Sequence, residues 1–481
     1  MNKLKIRING FYVLITIAVL LCWTVFAVIV LYNRGIQLTT IAGQSQQSET
    51  EAKNNAALFY PSRQALYVPS LNRLAACAQN IQPPPAIAAR SAVVIDAASG
   101  ALLFEKNPDQ SIPPASLTKL VALYTVMQAV EREEIRLTDV ITPPKEAWAV
   151  NIPPGSSLMF LGSAQKVSVE ELMLGMSVVS GNDAAVALAI HIAGSVPAFV
   201  KRMNETVAAL GLRNTSFEDP NGLSEKNQTT ARDFARFSAV YIKKYPDHLK
   251  RFHAVRELSY PKPHNMLTPQ APVYQQATNT LLSKLEGCDG LKTGFIYESG
   301  FNLALTAQRN GIRFIAVILG GAGKNSKEGK RIREENGTAL MEWAFSCFST
   351  VRVQDIPLQF SPIPVLGAKG RTDCTAIMPQ LADPEGKNVS FTIPISGNTA
   401  QNNAKTIRSR VLLPEVLSAP IDAGQIVGKI QFLNEVEGKE QTIAEFPLVA
   451  HKGAEKGSVL RWKYDNLAFK FHRFLRRLSK D

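Results

Sequence analysis

A serine stands three residues before a lysine in Ser116-Leu117-Thr118-Lys119, behind Pro113-Pro114-Ala115 and ahead of apolar residues at helical spacing, Leu120, Val121, Tyr124 and Met127. Two prolines stop any earlier helix and suit a helix start, so Ser116 is predicted in a first turn. Positions i and i+3 share a helix face, with Cβ atoms about 5–6 Å apart, which sets the Lys119 amine over the Ser116 hydroxyl. A serine alone is a poor nucleophile, but a neighbouring amine held partly neutral by burial can take its proton. Ser-x-x-Lys recurs by chance in long chains, so the chemistry depends on its company.

Two further stretches supply that company. Ser180-Gly181-Asn182 lies between a helix ending near Val179 and the apolar run Ala184 to Ile192, which presents its polar side chains from an interhelical loop. Lys292-Thr293-Gly294 sits on a predicted strand, where alternation sends Lys292 and Gly294 to one face and Thr293 to the other unless a local twist intervenes.

The positioning elements follow from pattern. Ala92-Val93-Val94-Ile95, a turn around Ala98-Ser99-Gly100, and Ala101-Leu102-Leu103-Phe104 read as a hairpin, and so do Phe301 to Gln308 and Ile312 to Leu319 around Asn310-Gly311. Between them a largely helical region runs to about residue 250, with a capping box at Ser168-Val169-Glu170-Glu171. Strands at both ends with helices between them predict an α+β fold, an antiparallel sheet flanked by helices. Residues 351–455 alternate short β-type runs with Gly, Pro and Asn, which predicts a second, all-β domain.

The 481 residues carry a net charge of +13, and its location matters more than its sign. Lys3, Lys5, Arg7 and Arg34 give the first 35 residues +4, and the tail 456–481 carries +6, which leaves only +3 on the other 420. No basic-aromatic groove stands out among those 420, so the charge favours membrane surfaces over nucleic acid. Phe11 to Tyr32 is a run of 22 residues without formal charge, about the length of a bilayer-spanning helix and longer than most signal-peptide cores. An uncleaved anchor is favoured over a cleaved signal, with the N-terminus in the cytoplasm. Leu74-Ala75-Ala76-Cys77 lacks the apolar run that a lipoprotein site needs. In the tail, Leu460, Leu467, Phe471, Phe474 and Leu478 share one helical face with cations largely elsewhere, which favours a membrane-interface helix over one docked on its own protein. The five cysteines show no disulfide framework, and neither they nor the six histidines show metal-ligand spacing; no metal or cofactor is expected.

Ser-x-x-Lys, a Ser-x-Asn loop and Lys-Thr-Gly, in this order, are the motif set of penicillin-recognising serine acyltransferases, which include class A β-lactamases and penicillin-binding proteins. With Gly155-Ser156-Ser157-Leu158-Met159-Phe160, Thr230-Ala231-Arg232-Asp233 and Asp289-Gly290 before Leu291-Lys292-Thr293-Gly294, the chain closely resembles the low-molecular-mass D-alanyl-D-alanine carboxypeptidases. The resemblance is dense over residues 86–350 and looser beyond, through Ala419-Pro420-Ile421-Asp422-Ala423-Gly424-Gln425 and the amphipathic C-terminus. It implies a β-lactamase/transpeptidase-like domain in which Ser116 is the nucleophile, Lys119 the base, Ser180 a proton relay and Asn182 an orienting group. It also implies that Lys292, Thr293 and Gly294 receive a terminal carboxylate, while the backbone N–H groups of Ser116 and Phe295 form an oxyanion hole. Arg333 is either the arginine that supports carboxylate binding or a surface helix arginine. Two departures stand out: Phe295 replaces a polar residue common after Lys-Thr-Gly, and Ala277-Thr278-Asn279 stands where relatives often have Asn-Arg-Asn.

The implied partners are peptidoglycan stem peptides, β-lactam antibiotics as inhibitors, and membrane lipids at both termini, with the catalytic domain outside a bacterial inner membrane. The expected boundaries are a cytoplasmic segment 1–10, a transmembrane helix 11–33, a linker 34–81, a catalytic domain 82–350, the all-β domain 351–455 and an amphipathic helix 456–481. An endopeptidase that cuts cross-links, a class A-like β-lactamase and a non-catalytic wall-binding scaffold are the alternatives.

Overall fold

The computed structural model describes residues 19–34, 82–266, 271–370, 375–382, 389–394, 407–436 and 439–478. Two compact units emerge: Gln64–Val351 with Ser390–Ala404, and Met1–Arg63 with Arg352–Val389 and Lys405–Asp481.

The first unit is built on a five-stranded antiparallel sheet in the order Leu102–Lys106, Ala89–Asp96, Ile312–Gly321, Gly300–Arg309, Cys288–Ile296. Both predicted hairpins form, and Asn310 (φ 51°) and Gly311 (φ 78°) both adopt the positive φ that a tight two-residue turn demands. Alternation assigns the two faces. Val93, Ile95, Ile315 and Val317 pack on the helical region, while Ala92, Val94, Ala316 and Ile318 pack on Leu340, Met341 and Ala344 of the helix Ser326–Cys347. Sheet and helices thus form the expected α+β arrangement, with the main core on the side that carries the Ser116 segment.

Local signals hold where they were read. Ser168 accepts from the Glu171 N–H at 3.2 Å while its own N–H donates to Glu171 Oε2 at 3.0 Å, a capping box that opens the helix Val169–Val178. Thr230 caps the helix Ala231–Lys244 by accepting from the Asp233 N–H, and Asp233 in turn accepts from Asn214 N and Thr215 Oγ1. A strand Ser390–Pro394 also joins this unit by pairing with Phe348–Arg352, and Asp96 Oδ2 accepts from both Thr350 Oγ1 and Thr392 Oγ1.

In the second unit a four-stranded sheet, Pro379–Leu381, Lys439–Ala450, Ile426–Val436 and Arg408–Leu412, lies beside a three-stranded one. Its C-terminal helix, Val459–Leu478, buries Asp465, Ala468, Phe469 and His472 and leaves Leu460, Leu467 and Phe474 exposed; the Leu478 side chain lies outside the described set. Val19–Arg34 is a short apolar helix; residues 11–18 of the predicted span lie outside the described residues, among which no single helix is long and apolar enough to cross a membrane.

One buried polar cluster had no sequence signal. Tyr241 Oη lies 2.9 Å from His248 Nδ1 and 2.7 Å from His253 Nε2, and His253 Nδ1 lies 3.2 Å from the Leu291 carbonyl. That carbonyl can only accept, so His253 carries its proton on Nδ1, accepts a hydrogen bond from the Tyr241 hydroxyl on Nε2, and leaves the phenol oxygen to accept from His248. The chain requires neutral imidazoles. Burial pulls His253 down to about 3 and His248 to about 4, well under an ordinary histidine.

Below pH 6.5 the unfolded chain binds a proton at His253 that the native state refuses, so stability rises with pH from about 3 to 6.5. At pH 5 this costs about 2 kcal/mol for His253 relative to neutral pH. Denaturant unfolding at pH 5 and pH 7 should show that loss, and His253→Gln should reduce the slope; an unchanged slope would refute the neutral assignment.

Candidate active site

The residues Ala115–Leu117 form a single tight turn that runs directly into the helix Thr118–Glu131. Lys119 Nζ reaches Ser116 Oγ at 3.1 Å, as the i, i+3 spacing required. The amine also meets Asn182 Oδ1 at 2.6 Å and the Asn221 backbone carbonyl at 2.5 Å. Lys119 is wholly buried. Desolvation drives its pKa down to about 7, against the opposing pull of Asp219 and Asp183.

These contacts define a direction. A neutral amine has two N–H bonds and one lone pair, and the Asn221 carbonyl and Asn182 Oδ1 can only accept. Both N–H bonds are therefore committed to them, and the lone pair is left facing the Ser116 hydroxyl. The same logic orients the Asn182 amide with its oxygen toward the amine.

Each partner is fixed by its own scaffold. Ser180, with φ 62°, and Gly181 link the helices Val169–Val178 and Asn182–Ala193, and this places Asn182 at a helix start. Beside it, the Asp183 carboxylate accepts from Met159 N at 2.8 Å and Leu161 N at 3.0 Å, which pins the Gly155–Leu161 segment over the loop. Burial raises the Asp183 pKa despite those donors.

Asn221 was missed in the sequence, and so was the loop that delivers it. In Asp219-Pro220-Asn221-Gly222, the Asp219 carboxylate accepts from Gly222 N and Ser224 N, both at 2.6 Å, and from Asn227 Nδ2 at 2.9 Å. The Asp-Pro-Asn-Gly run is a turn signal that sequence reading could have used. Gly222, at φ 85°, lies so near the Ala115–Leu117 turn that a Cβ there would fall 2.0 Å from the Ala115 carbonyl oxygen.

The strand Cys288–Ile296 closes the other side. A Cβ on Gly294 would lie 3.0 Å from Ser116 N, so this strand, too, lies against the nucleophile turn. Lys292 is buried, and its pKa is driven well down by desolvation first, then by the charges of Lys119 and Arg333. Thr293 is buried beside it. Arg333 lies in the helix Ser326–Cys347 and is 5% exposed, so it is not a surface arginine; burial lowers its pKa to about 10. Phe295 is partly exposed and packs on Phe301 with ring centroids 4.5 Å apart and on Tyr297 at 5.4 Å.

A serine in contact with a buried amine, beside a polar loop, a second buried lysine and a buried arginine, suits acyl transfer on a substrate that carries an anion. A family model for D-alanyl-D-alanine carboxypeptidase matches residues 78–323, about half of the chain. The chain belongs to that family. It is 34% identical over 396 residues to the D-alanyl-D-alanine carboxypeptidase DacC of Escherichia coli, which covers 81% of this chain and 90% of the relative. The crystal structures of penicillin binding protein 5 from Haemophilus influenzae match with a TM-score of 0.66 at 33% identity, covering 78% of this chain and all of that one. A D-alanyl-D-alanine endopeptidase of Pseudomonas aeruginosa is 32% identical, over 52% of this chain and 79% of the relative. The carboxypeptidase likeness therefore extends past the first unit, whereas the endopeptidase likeness spans about half of the chain.

Gly222→Ala in this carboxypeptidase should lower stability by at least about 2 kcal/mol, since it combines a left-handed backbone with a backbone clash. Gly194→Ala, also at positive φ but with nothing within 4 Å, should cost only about 1 kcal/mol. Equal losses on denaturant unfolding would show that the close approach at Ala115 is not there.

Proposed function

We propose that this carboxypeptidase removes the terminal D-alanine from peptidoglycan stem pentapeptides through an acyl-enzyme on Ser116. The observation that carries this is the 3.1 Å contact of Lys119 Nζ with Ser116 Oγ: a neutral amine whose two N–H bonds are engaged by Asn182 and Asn221 turns its lone pair to that hydroxyl. Lys119 takes the hydroxyl proton as Ser116 Oγ bonds to the carbonyl carbon between the two D-alanines. The backbone N–H groups of Ser116 and Phe295 stabilise the resulting oxyanion. Collapse breaks the C–N bond, and the proton passes through Ser180 to the leaving amine. D-Alanine departs, and a water deprotonated by the same base cleaves the ester and restores Ser116.

Lys292 and Arg333 hold the terminal carboxylate electrostatically and Thr293 adds a hydrogen bond, while Gly294 leaves room for the strand to approach. Burial is the larger cause of the low Lys292 pKa and persists in the free site, so the arriving carboxylate is what favours its charged form; a neutral Lys119 removes only the smaller, repulsive contribution. A β-lactam enters the same cycle as an acylating inhibitor. The longer match to carboxypeptidases than to the endopeptidase supports release of D-alanine over cross-link cleavage.

The catalytic domain, 82–350, then acts on the outer side of a bacterial inner membrane. It is tethered by residues 34–81 to an anchor at 11–33 whose residues 1–10 stay in the cytoplasm, while the all-β domain 351–455 carries the lipid-seeking helix 456–481. The exposed apolar face Leu460, Leu467 and Phe474 supports that reading of the tail.

Two measurements test the chemistry. Mass spectrometry of the protein with a pentapeptide stem should show loss of one D-alanine, abolished in Ser116→Ala; turnover by Ser116→Ala, or none by the folded parent, defeats the proposal. Acylation by labelled penicillin at limiting concentration reports the free enzyme, where Lys119 near 7 must be deprotonated to act. Its rate should plateau above neutral pH and fall about tenfold per unit below. A flat profile down to pH 5 would remove Lys119 as the base.

A further inference from the structure

Arg34, the last described residue of the N-terminal helix, is 6% exposed and donates from Nε to Asp465 Oδ1 at 3.0 Å. Asp465 lies 431 residues away on the C-terminal helix and is 1% exposed. Its other oxygen accepts from Gly367 N–H at 3.0 Å and from Arg461 Nε at 3.3 Å, so one carboxylate ties the N-terminal helix, the C-terminal helix and a β-domain loop together. Two turns further along, Tyr32 packs on His472 with ring centroids 5.3 Å apart. The docked stripe of the C-terminal helix is thus Asp465, Ala468, Phe469 and His472, at the i, i+3, i+4, i+7 spacing of one face.

Both helices also expose large apolar side chains. Leu460, Leu467 and Phe474, seven residues apart, stay exposed, and so do Leu20, Leu21, Trp23, Phe26 and Ile29 on the N-terminal helix. Exposed apolar surface on two adjoining helices calls for a covering, and the cations placed beside it, Lys463 and Lys470, suit anionic headgroups.

We infer that Arg34 and Asp465 form a latch that joins the two terminal helices into one composite lipid-binding anchor. This inference rests on the membrane reading above and adds to it in two ways. First, the N-terminal helix is a retained part of the mature protein, because its removal would take Arg34 from a buried carboxylate. Second, the β-domain is fixed to the same anchor, since the Gly367 N–H of its loop donates to the Asp465 carboxylate that holds Arg34.

The test uses the full chain in vesicles of phosphatidylethanolamine and phosphatidylglycerol. Its own Cys22, Cys77, Cys288, Cys347 and Cys374 are replaced by serine, Tyr32→Cys and His472→Cys are introduced, and a protease site is added within residues 35–81. A short bismaleimide should keep the N-terminal fragment joined to the remainder after cleavage. Arg34→Gln should lower that yield by about fivefold or more, because it removes one of the two guanidinium partners of a buried carboxylate and the one that the N-terminal helix supplies. Penicillin labelling, which reads the catalytic unit, should not change. Two free-reacting cysteines that never cross-link in chain that floats with the vesicles would overturn the latch, as would a mature protein lacking residues before Arg34. Cross-linking without flotation would instead overturn the membrane reading.

Discussion

The structure turns on one buried amine. A lysine fully removed from water, with no carboxylate in contact, loses much of its preference for the charged form, and here the shift reaches about 7. Asp183 and Asp219 stop it falling further, but Asp183 spends its hydrogen bonds on backbone N–H groups and Asp219 on backbone N–H groups and the Asn227 amide, and neither on the amine. Their separation is what matters. A carboxylate in direct contact would hold Lys119 as an ammonium, with all three donors occupied and no lone pair for Ser116. Two carbonyl oxygens accept from the amine in either state, so they orient it without forbidding its deprotonation.

That arrangement demands very close packing around the nucleophile turn. Ala115 sits at φ 50°, Gly222 touches it from one side and Gly294 lies against the Ser116 N–H from another. Ser180 holds φ 62° in the neighbouring loop. Left-handed backbone at non-glycine positions costs energy that only a surrounding framework can sustain. The Asp219 loop and the strand Cys288–Ile296 supply it, and the neutral chain from His248 through Tyr241 and His253 to the Leu291 carbonyl grips that strand one residue before Lys292. Site geometry and core packing are therefore not separable in this unit.

How much of this was legible depended on which atoms do the work. Ser116 and Lys119 were readable because helix geometry alone brings i and i+3 together, and the hairpin at Asn310-Gly311 because only certain residues tolerate its dihedrals. Asn221 was not, since its contribution is a backbone carbonyl, which every residue type has. Arg333 stayed ambiguous because its burial depends on how a helix meets a sheet whose strands come from as far back as Ala89–Asp96, and local pattern cannot express that. The Tyr241–His248–His253 cluster was invisible for a similar reason: histidines spaced five apart suggest no ligand pattern, and their function as a neutral hydrogen-bond chain exists only once burial removes the charge.

The C-terminal helix shows the limit of periodicity itself. Its sequence was read as one apolar face with cations elsewhere, which left docking on protein and lying in lipid as rival readings. In the fold the helix has two apolar faces, one docked through Ala468 and Phe469 and the other open through Leu460, Leu467 and Phe474. The discriminating residue is the one that looked like an interruption. A lone acid amid the six Lys and Arg residues of this helix would be repelled by anionic headgroups at a lipid surface, so Asp465 belongs on the inward face, and burial there requires cationic partners and a backbone donor. Arg34, Arg461 and the Gly367 N–H meet that requirement together, and it is this polar knot, more than any apolar contact, that decides which face of the helix is left outward.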